Sequence, residues 1–195
     1  FYDDVATGSI EIIKTDAVDG STLAGATFDI RAGGDIVRAD DSIVALDGET
    51  VATVTTDERG HARVDHLSLG CGAATYEVVE TQAPEGYLLN PTPYTVKLSF
   101  ADQQAPVIEV HLDASDDYTK IDISKVDVCG GQEVTGAELV LCDSNGNEID
   151  SWTSSGKPHH IEHLTPGTYT LRETMSPRTY DLAEEITFEV KATGE

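Results

Sequence analysis

The sequence predicts an all-β protein made of two tandem immunoglobulin-like β-sandwich domains. Three observations carry that prediction: a pair of segments that recurs in the same order, short runs of alternating apolar and polar residues between turn signals, and no stretch with helical periodicity. At 195 residues and 39% hydrophobic content, the chain is long enough for two modest cores.

The repeat sets the domain organisation. "IIKTDAVDGSTLAGATFDI" (12 to 30) returns as "ISKVDVCGGQEVTGAELVL" (123 to 141), matching Lys14 to Lys125 and Gly25-Ala26 to Gly136-Ala137 without a gap. "TYEVVETQAPEGY" (75 to 87) returns as "TYTLRETMSPRTY" (168 to 180), matching Glu80 to Glu173, Pro84 to Pro177 and Tyr87 to Tyr180. The boundaries that follow are residues 1–118 for the first domain and 119–195 for the second. The first copy is longer in the middle, with an insertion at about 31–66 expected in loops and edge strands, where extra length costs little.

The elements follow in order. "GSIEIIKTD" alternates as a first strand, with Ile10, Ile12 and Lys14 on one face. "ATFDI", "TVTT", "HARVDHL", "TYEVVE", "YTVKLSF" and "VIEVHL" are the further strands of copy one, punctuated by "DG", "GG", "ERG" and "PEG". Strands this short at this spacing fit a sandwich. Copy two runs through the same elements and ends at "EEITFEVKATGE", with no further strand carrying an acid.

Composition narrows the function. Twelve lysines and arginines stand against 36 aspartates and glutamates, a formal net charge of −24. Such a chain repels phosphates and anionic head groups, so neither nucleic acid nor membrane is expected as a partner. No apolar run has the length of a membrane span, and the N-terminal "FYDDVATG" lacks the basic start and apolar core of a signal peptide. The three cysteines, Cys71, Cys129 and Cys142, have no metal-ligand spacing and read as isolated thiols, with a Cys129–Cys142 disulfide as the alternative.

The chemistry begins with the lysine on the apolar face. Whatever buries Ile10 and Ile12 buries Lys14, and the same count places Glu80 inward with Tyr76 and Val78, and Glu173 with Tyr169 and Leu171. A buried charge is costly unless paired, and burial favours the neutral form of either group. A neutral lysine is a nucleophile and a neutral glutamic acid a proton donor, so the pair can make an amide if a carboxyl carbon is within reach. In "VIEVHLDASDDYTK" the face of Ile108, Val110 and Leu112 continues through Ala114 to Asp116, the first choice of acceptor; Asp113 is out of phase and would need a bulge.

These residues resemble a known family. The pattern "IxIxKxD…LxGAxF…TD…G…YxVxETxAPxGY" in copy one, and "DISKVD…VTGAELVLCDSNGNEIDSWTSSGKPHHIEHLTPGTYTLRETMSP" in copy two, is similar to the Cna B-type (SpaA-like, prealbumin-like) domains of Gram-positive pilins and adhesins, over nearly the whole chain. Copy two is especially similar to the adhesin domain behind the SpyCatcher ligation tag. The resemblance implies a spontaneous isopeptide bond between a first-strand lysine and a last-strand acid, assisted by the glutamate of the "ET" strand. Carried to this chain, it implies Lys14 and Asp116 (second choice Asp113) with Glu80 in copy one. It implies Lys125 with Glu173 in copy two, where the acid-bearing partner strand is absent from the sequence. Lys125 is then expected to be unreacted, beside an open sheet edge and a groove lined by Ile123, Leu171 and Phe188.

The role so implied is a stalk or shaft segment of an extracellular, cell-wall-attached adhesin or pilin, in contact with neighbouring domains of the same surface protein, with autocatalytic bond formation but no turnover of a substrate. The alternative is an adhesin module recognising a host protein or glycan through the insertion. Residues 31–66 contain no Trp, Tyr or Phe to anchor a ligand, which favours the stalk. No LPxTG-like sorting motif occurs. No cofactor or metal is expected: "DSNGNEID" (143 to 150) reads as a hairpin turn rather than a calcium loop, and His61, His66, His159, His160 and His163 read as scattered surface residues. Trp152 reads as a core or rim anchor.

Overall fold

The computed structural model describes residues 7–100 and 107–193, with only the backbone at 107–109. The chain divides between Asp117 and Tyr118 into two compact units. Among the described residues every regular element is a strand, and no helix is long and apolar enough to cross a membrane.

Unit 1 contains β1 (Thr7–Asp16), β2 (Thr27–Ala32), β3 (Ile36–Val37), β4 (Ile43–Ala45), β5 (Thr50–Thr55), β6 (His61–Ser68), β7 (Ala73–Gln82), β8 (Tyr94–Ser99) and β9 (Val107–Asp116). A sheet of order β6-β1-β9 and one of order β5-β2-β7-β8 enclose the core. That core holds Ile10 and Ile12 from β1, Phe28 and Ile30 from β2, Tyr76 and Val78 from β7, and Leu98 from β8. Burial in β1 follows the period-two alternation from Ile10 through Ile12 and Lys14 to Asp16, which is why the lysine is inside.

Unit 2 contains β10 (Lys120–Ile123), β11 (Thr135–Cys142), β12 (Glu148–Ser155), β13 (His159–Glu162), β14 (Gly167–Met175) and β15 (Ile186–Val190). Its sheets are β10-β13 and β12-β11-β14-β15, around a smaller core of Leu141, Ile161, Leu164, Tyr169 and Val190. Strand for strand, β10 stands where β1 does, β13 where β6 does, and β11, β12, β14 and β15 repeat β2, β5, β7 and β8. β9 has no counterpart among the described residues, so only one edge of β10 is paired.

Two features place the site. β9 lies parallel to β1 along ten consecutive pairs, from Thr7 opposite Val107 to Asp16 opposite Asp116, so the first and last strands of unit 1 are neighbours and their ends coincide. The β5–β6 turn then clamps the end of β1. The Lys14 N–H donates to the Gly60 carbonyl at 2.8 Å, Gly60 has φ 74°, and a Cβ there would stand 2.7 Å from the Lys14 carbonyl oxygen. Only glycine fits.

The insertion is narrower than the sequence suggests. β5 and β6 have counterparts in unit 2, so within 31–66 the extra structure is the β3–β4 hairpin between β2 and β5. Outside the matched segments the two copies share little sequence, so the sequence does not separate β5 and β6 from the insertion.

Candidate functional site: a buried lysine between two carboxyls

Lys14, Glu80 and Asp116 meet in the core of unit 1, each no more than 2% exposed. β1 supplies the lysine, β7 the glutamate and the end of β9 the aspartate. Lys14 Nζ is 3.0 Å from Glu80 Oε1 and forms an ion pair with Asp116 Oδ1, with the Phe28 ring centroid 5.6 Å away. Ala114 and Asp116 are buried on the inward face of β9, whereas Asp113 is exposed on the other. β9 has no bulge in its ladder with β1 that would turn Asp113 inward, so the second-choice acceptor stands away from the lysine.

The electrostatics set the protons. Burial is the largest influence on Glu80 and raises its pKa to about 7, against the lowering effects of the Asn90 backbone N–H and Lys14; the Asp116 charge raises it further. Burial also raises Asp116 above the ordinary carboxylate range, although Lys14 pulls it down. The Asn90 N–H donates to Glu80 Oε2 at 3.0 Å, so a proton on Glu80 belongs on Oε1, the oxygen facing Lys14. Asp116 Oδ2 is buried with no hydrogen-bond donor among the described residues, a costly state for an ionised carboxylate. The arrangement holds an amine against a carboxyl carbon, with a second carboxyl in reach of both and water excluded.

Unit 2 repeats half of this. Lys125 lies two residues beyond the end of β10, with Nζ 3.3 Å from Glu173 Oε2, and the Ala183 N–H donates to the same oxygen at 2.6 Å. Glu173 Oε1 is buried without a partner among the described residues. The lysine side chain is 18% exposed rather than fully buried as the sequence implies, because among the described residues no strand covers it on the open side of β10. Lys125 and Glu173 line a groove of about 260 Å³ with Ile123, Leu139, Leu171 and Ile186. Phe188, expected in that lining, is instead half-buried against the core beside Tyr169, with ring centroids 5.9 Å apart.

The remaining sequence candidates lie elsewhere. Asp143 closes the β11–β12 hairpin by accepting the N–H groups of Asn145 and Asn147, each at 2.8 Å. His159 stacks on Trp152, which packs against the core of unit 2, and pairs with Asp150. His160 pairs with Asp122 and Glu162, which raise its pKa, Asp122 more strongly. His163 stacks on Tyr118, and His61 approaches Glu11. All three cysteines are free thiols, with Cys142 alone buried. Sequence reasoning missed Asn90, which orients Glu80 through a backbone N–H and so leaves no side-chain signature. It also missed Asp16, whose carboxylate accepts a hydrogen bond from the Tyr87 hydroxyl at 2.9 Å; both residues recur in copy two, as Asp127 and Tyr180, and that recurrence was the available signal.

One solved structure and one family model agree with this architecture. Among solved structures, the chain is similar to the Bacillus anthracis TIE protein, with 25% identity and a TM-score of 0.52 over 97% of this chain and 32% of that one. It is similar to a Streptococcal ancillary pilin, with 22% identity and a TM-score of 0.44 over 96% of this chain and 60% of that one. It is also similar to the shaft pilin SpaA from Lactobacillus rhamnosus GG, with 16% identity and a TM-score of 0.41 over 97% and 95%. The chain thus spans about a third of the TIE protein and three fifths of the ancillary pilin. Among curated proteins no sequence match is found. The family model described as "SpaA: Prealbumin-like fold domain" matches residues 8–113 and again residues 119–195. The chain therefore belongs to the SpaA prealbumin-like fold domain family and consists of two such domains in tandem.

Proposed function

We propose that unit 1 crosslinks itself through an amide between Lys14 and Asp116, and that the chain is a load-bearing stalk segment of an extracellular, cell-wall-attached pilin or adhesin of a Gram-positive bacterium. The observation that carries this reading is the placement of Lys14 Nζ between Glu80 Oε1 and Asp116 Oδ1 in a buried cluster.

With Glu80 protonated, the cluster of ammonium, carboxylate and carboxylic acid is neutral. Redistribution of its protons gives a free amine and a protonated Asp116. The amine attacks the Asp116 carboxyl carbon, forming the C–N bond. Glu80 takes a proton from the nitrogen and delivers one to the departing hydroxyl, so one water leaves and Glu80 ends as it began. The product replaces two buried charges by a neutral amide, so the Asp116 oxygen that stays is a carbonyl rather than part of an uncompensated carboxylate. Preorganisation supplies the rate, because all three groups are fixed by strands of one sandwich.

An amide at this position serves a stalk. It joins the first and last strands of unit 1, so a pull on the two ends of the domain runs through a covalent bond rather than the β1–β9 ladder. It closes a loop of about a hundred residues, worth roughly 4.7 kcal/mol on the chain-entropy account of crosslinks. In unit 2, Lys125, Glu173 and the unpaired edge of β10 are half of the same device. Its complement is a strand of the β9 pattern, apolar at alternate positions and carrying Asp or Asn opposite Lys125.

Intact-mass spectrometry of the purified chain tests the condensation. The wild type should weigh one water less than its sequence, and Glu80→Ala should restore the full mass in a folded protein. A wild type at its full sequence mass overturns the reading.

A further inference from the structure

One connection, residues 83–93 between β7 and β8, reaches all three strands that supply the cluster. The Tyr87 hydroxyl donates to Asp16 Oδ2 on β1 at 2.9 Å; the Asn90 N–H donates to Glu80 on β7 at 3.0 Å; and the Leu88 N–H donates to the Asp117 carbonyl just beyond β9 at 2.8 Å. Asp16 is itself buried, follows Lys14 by two on the inward face of β1, and stands opposite Asp116 in the parallel ladder. The carboxylate is braced from behind, since its Oδ1 accepts the N–H groups of Val18 and Asp19. From Asp16 the brace passes to the acceptor strand, because the Ala17 N–H donates to the Asp116 carbonyl at 2.8 Å.

Unit 2 contains the same residues in another state. The turn is kept, with the Tyr180 N–H on the Pro177 carbonyl at 3.1 Å as the Tyr87 N–H is on that of Pro84, and the Ala183 N–H still holds Glu173. The tyrosine is not engaged: Tyr180 is 44% exposed and its hydroxyl has no hydrogen-bond partner among the described residues, while Asp127 keeps the turn cap that Asp16 also makes, here at Cys129 and Gly130. Lys125 is also partly open to water where Lys14 is not.

Resting on the reading of a Lys14–Asp116 condensation, we propose that Tyr87 is a positioning residue for it. By holding Asp16, Tyr87 latches the β7–β8 connection across the ends of β1, β7 and β9, sets Asp116 against Lys14, and closes the cluster to water. Tyr180 and Asp127 are the same latch unfastened. Among the described residues no strand pairs with the second edge of β10 either, so unit 1 is where the latch is separable from strand occupancy.

The test is a time course. The whole chain is made by cell-free synthesis, quenched at intervals and weighed, for the wild type, Tyr87→Phe and Tyr180→Phe, across a pH series. Loss of a hydrogen bond to a charged acceptor predicts that Tyr87→Phe slows water loss by about tenfold or more, whereas Tyr180→Phe leaves it unchanged. An opened latch also lets water reach Glu80, which is faced by Lys14, Asp116 and the Asn90 N–H, so the alkaline fall of the rate should move to lower pH. A rate and midpoint equal to wild type would overturn the assignment, as would slowing with an unmoved midpoint, which is the mark of a merely structural hydroxyl. Asp16→Asn, which preserves volume and the oxygen facing Val18, covers the case of a Tyr87→Phe chain that fails to fold; it should slow the reaction less, and wild-type kinetics there would also overturn the latch. A wild type that never loses water overturns the condensation itself, and the latch with it.

Discussion

Replacing both Lys14 and Asp116, as Lys14→Met with Asp116→Ala, removes the proposed crosslink without leaving a buried ammonium behind. The loop between these positions is about a hundred residues, so the lost constraint on the unfolded chain is roughly 4.7 kcal/mol. For a domain of this size each kcal/mol moves the midpoint by about 4 °C, which predicts a fall of roughly 20 °C for unit 1. Asp116→Ala alone should fall further, since Lys14 then keeps only Glu80 as partner in a site that excludes water, and breaking a buried ionic arrangement costs on the order of 3–5 kcal/mol. Differential scanning calorimetry of the whole chain, with mass measured on the same samples, reads both numbers. A double variant melting within a few degrees of wild type would refute the argument that a covalent bond spans β1 and β9.

Three further outcomes follow from the geometry. The condensation rate should fall as pH rises through about 7, because the neutral cluster loses its mobile proton as Glu80 ionises, and should fall again in acid as Asp116 gains one; a flat profile between these limbs and above pH 8 would contradict Glu80 as the proton carrier. Asp113→Ala should leave the mass deficit and unit 1 midpoint unchanged, because that side chain is exposed on the other face of β9; a restored mass would move the acceptor there. Unit 2 should give the lower calorimetric transition, and a synthetic peptide of the β9 sequence should form an adduct with it that disappears in Lys125→Ala; a heat-stable unit 2 or an adduct indifferent to Lys125 would refute the half-site.

Much of this was legible because strands convert parity into burial. Once "GSIEIIKTD" is a strand with Ile10 and Ile12 inside, Lys14 has no other face to occupy, and the same count carries Ala114 to Asp116. The repeat then located Lys125 and Glu173 without any structural knowledge. Parity failed where a neighbour decides burial: Lys125 is in phase with Ile121 and Ile123, yet it is partly open because among the described residues that side of β10 carries no strand. Phe188 is in phase with groove-lining Ile186 and core Val190 on β15, so parity gave its face correctly; what it could not give was the position along the strand, where Phe188 lies beside Tyr169 rather than at the groove. The β7–β8 connection was illegible for another reason: Asn90 and Leu88 act through backbone N–H groups, which any residue but proline provides.

The most direct measurement of the central claim is fragment sequencing by tandem mass spectrometry of a protease digest of the folded wild-type chain. The account predicts one branched peptide, in which the Lys14 side chain is joined to the Asp116 side chain with the loss of one water, and its absence from Glu80→Ala. Unbranched peptides containing an intact Lys14 and an intact Asp116, recovered in full yield from the wild type, would contradict it.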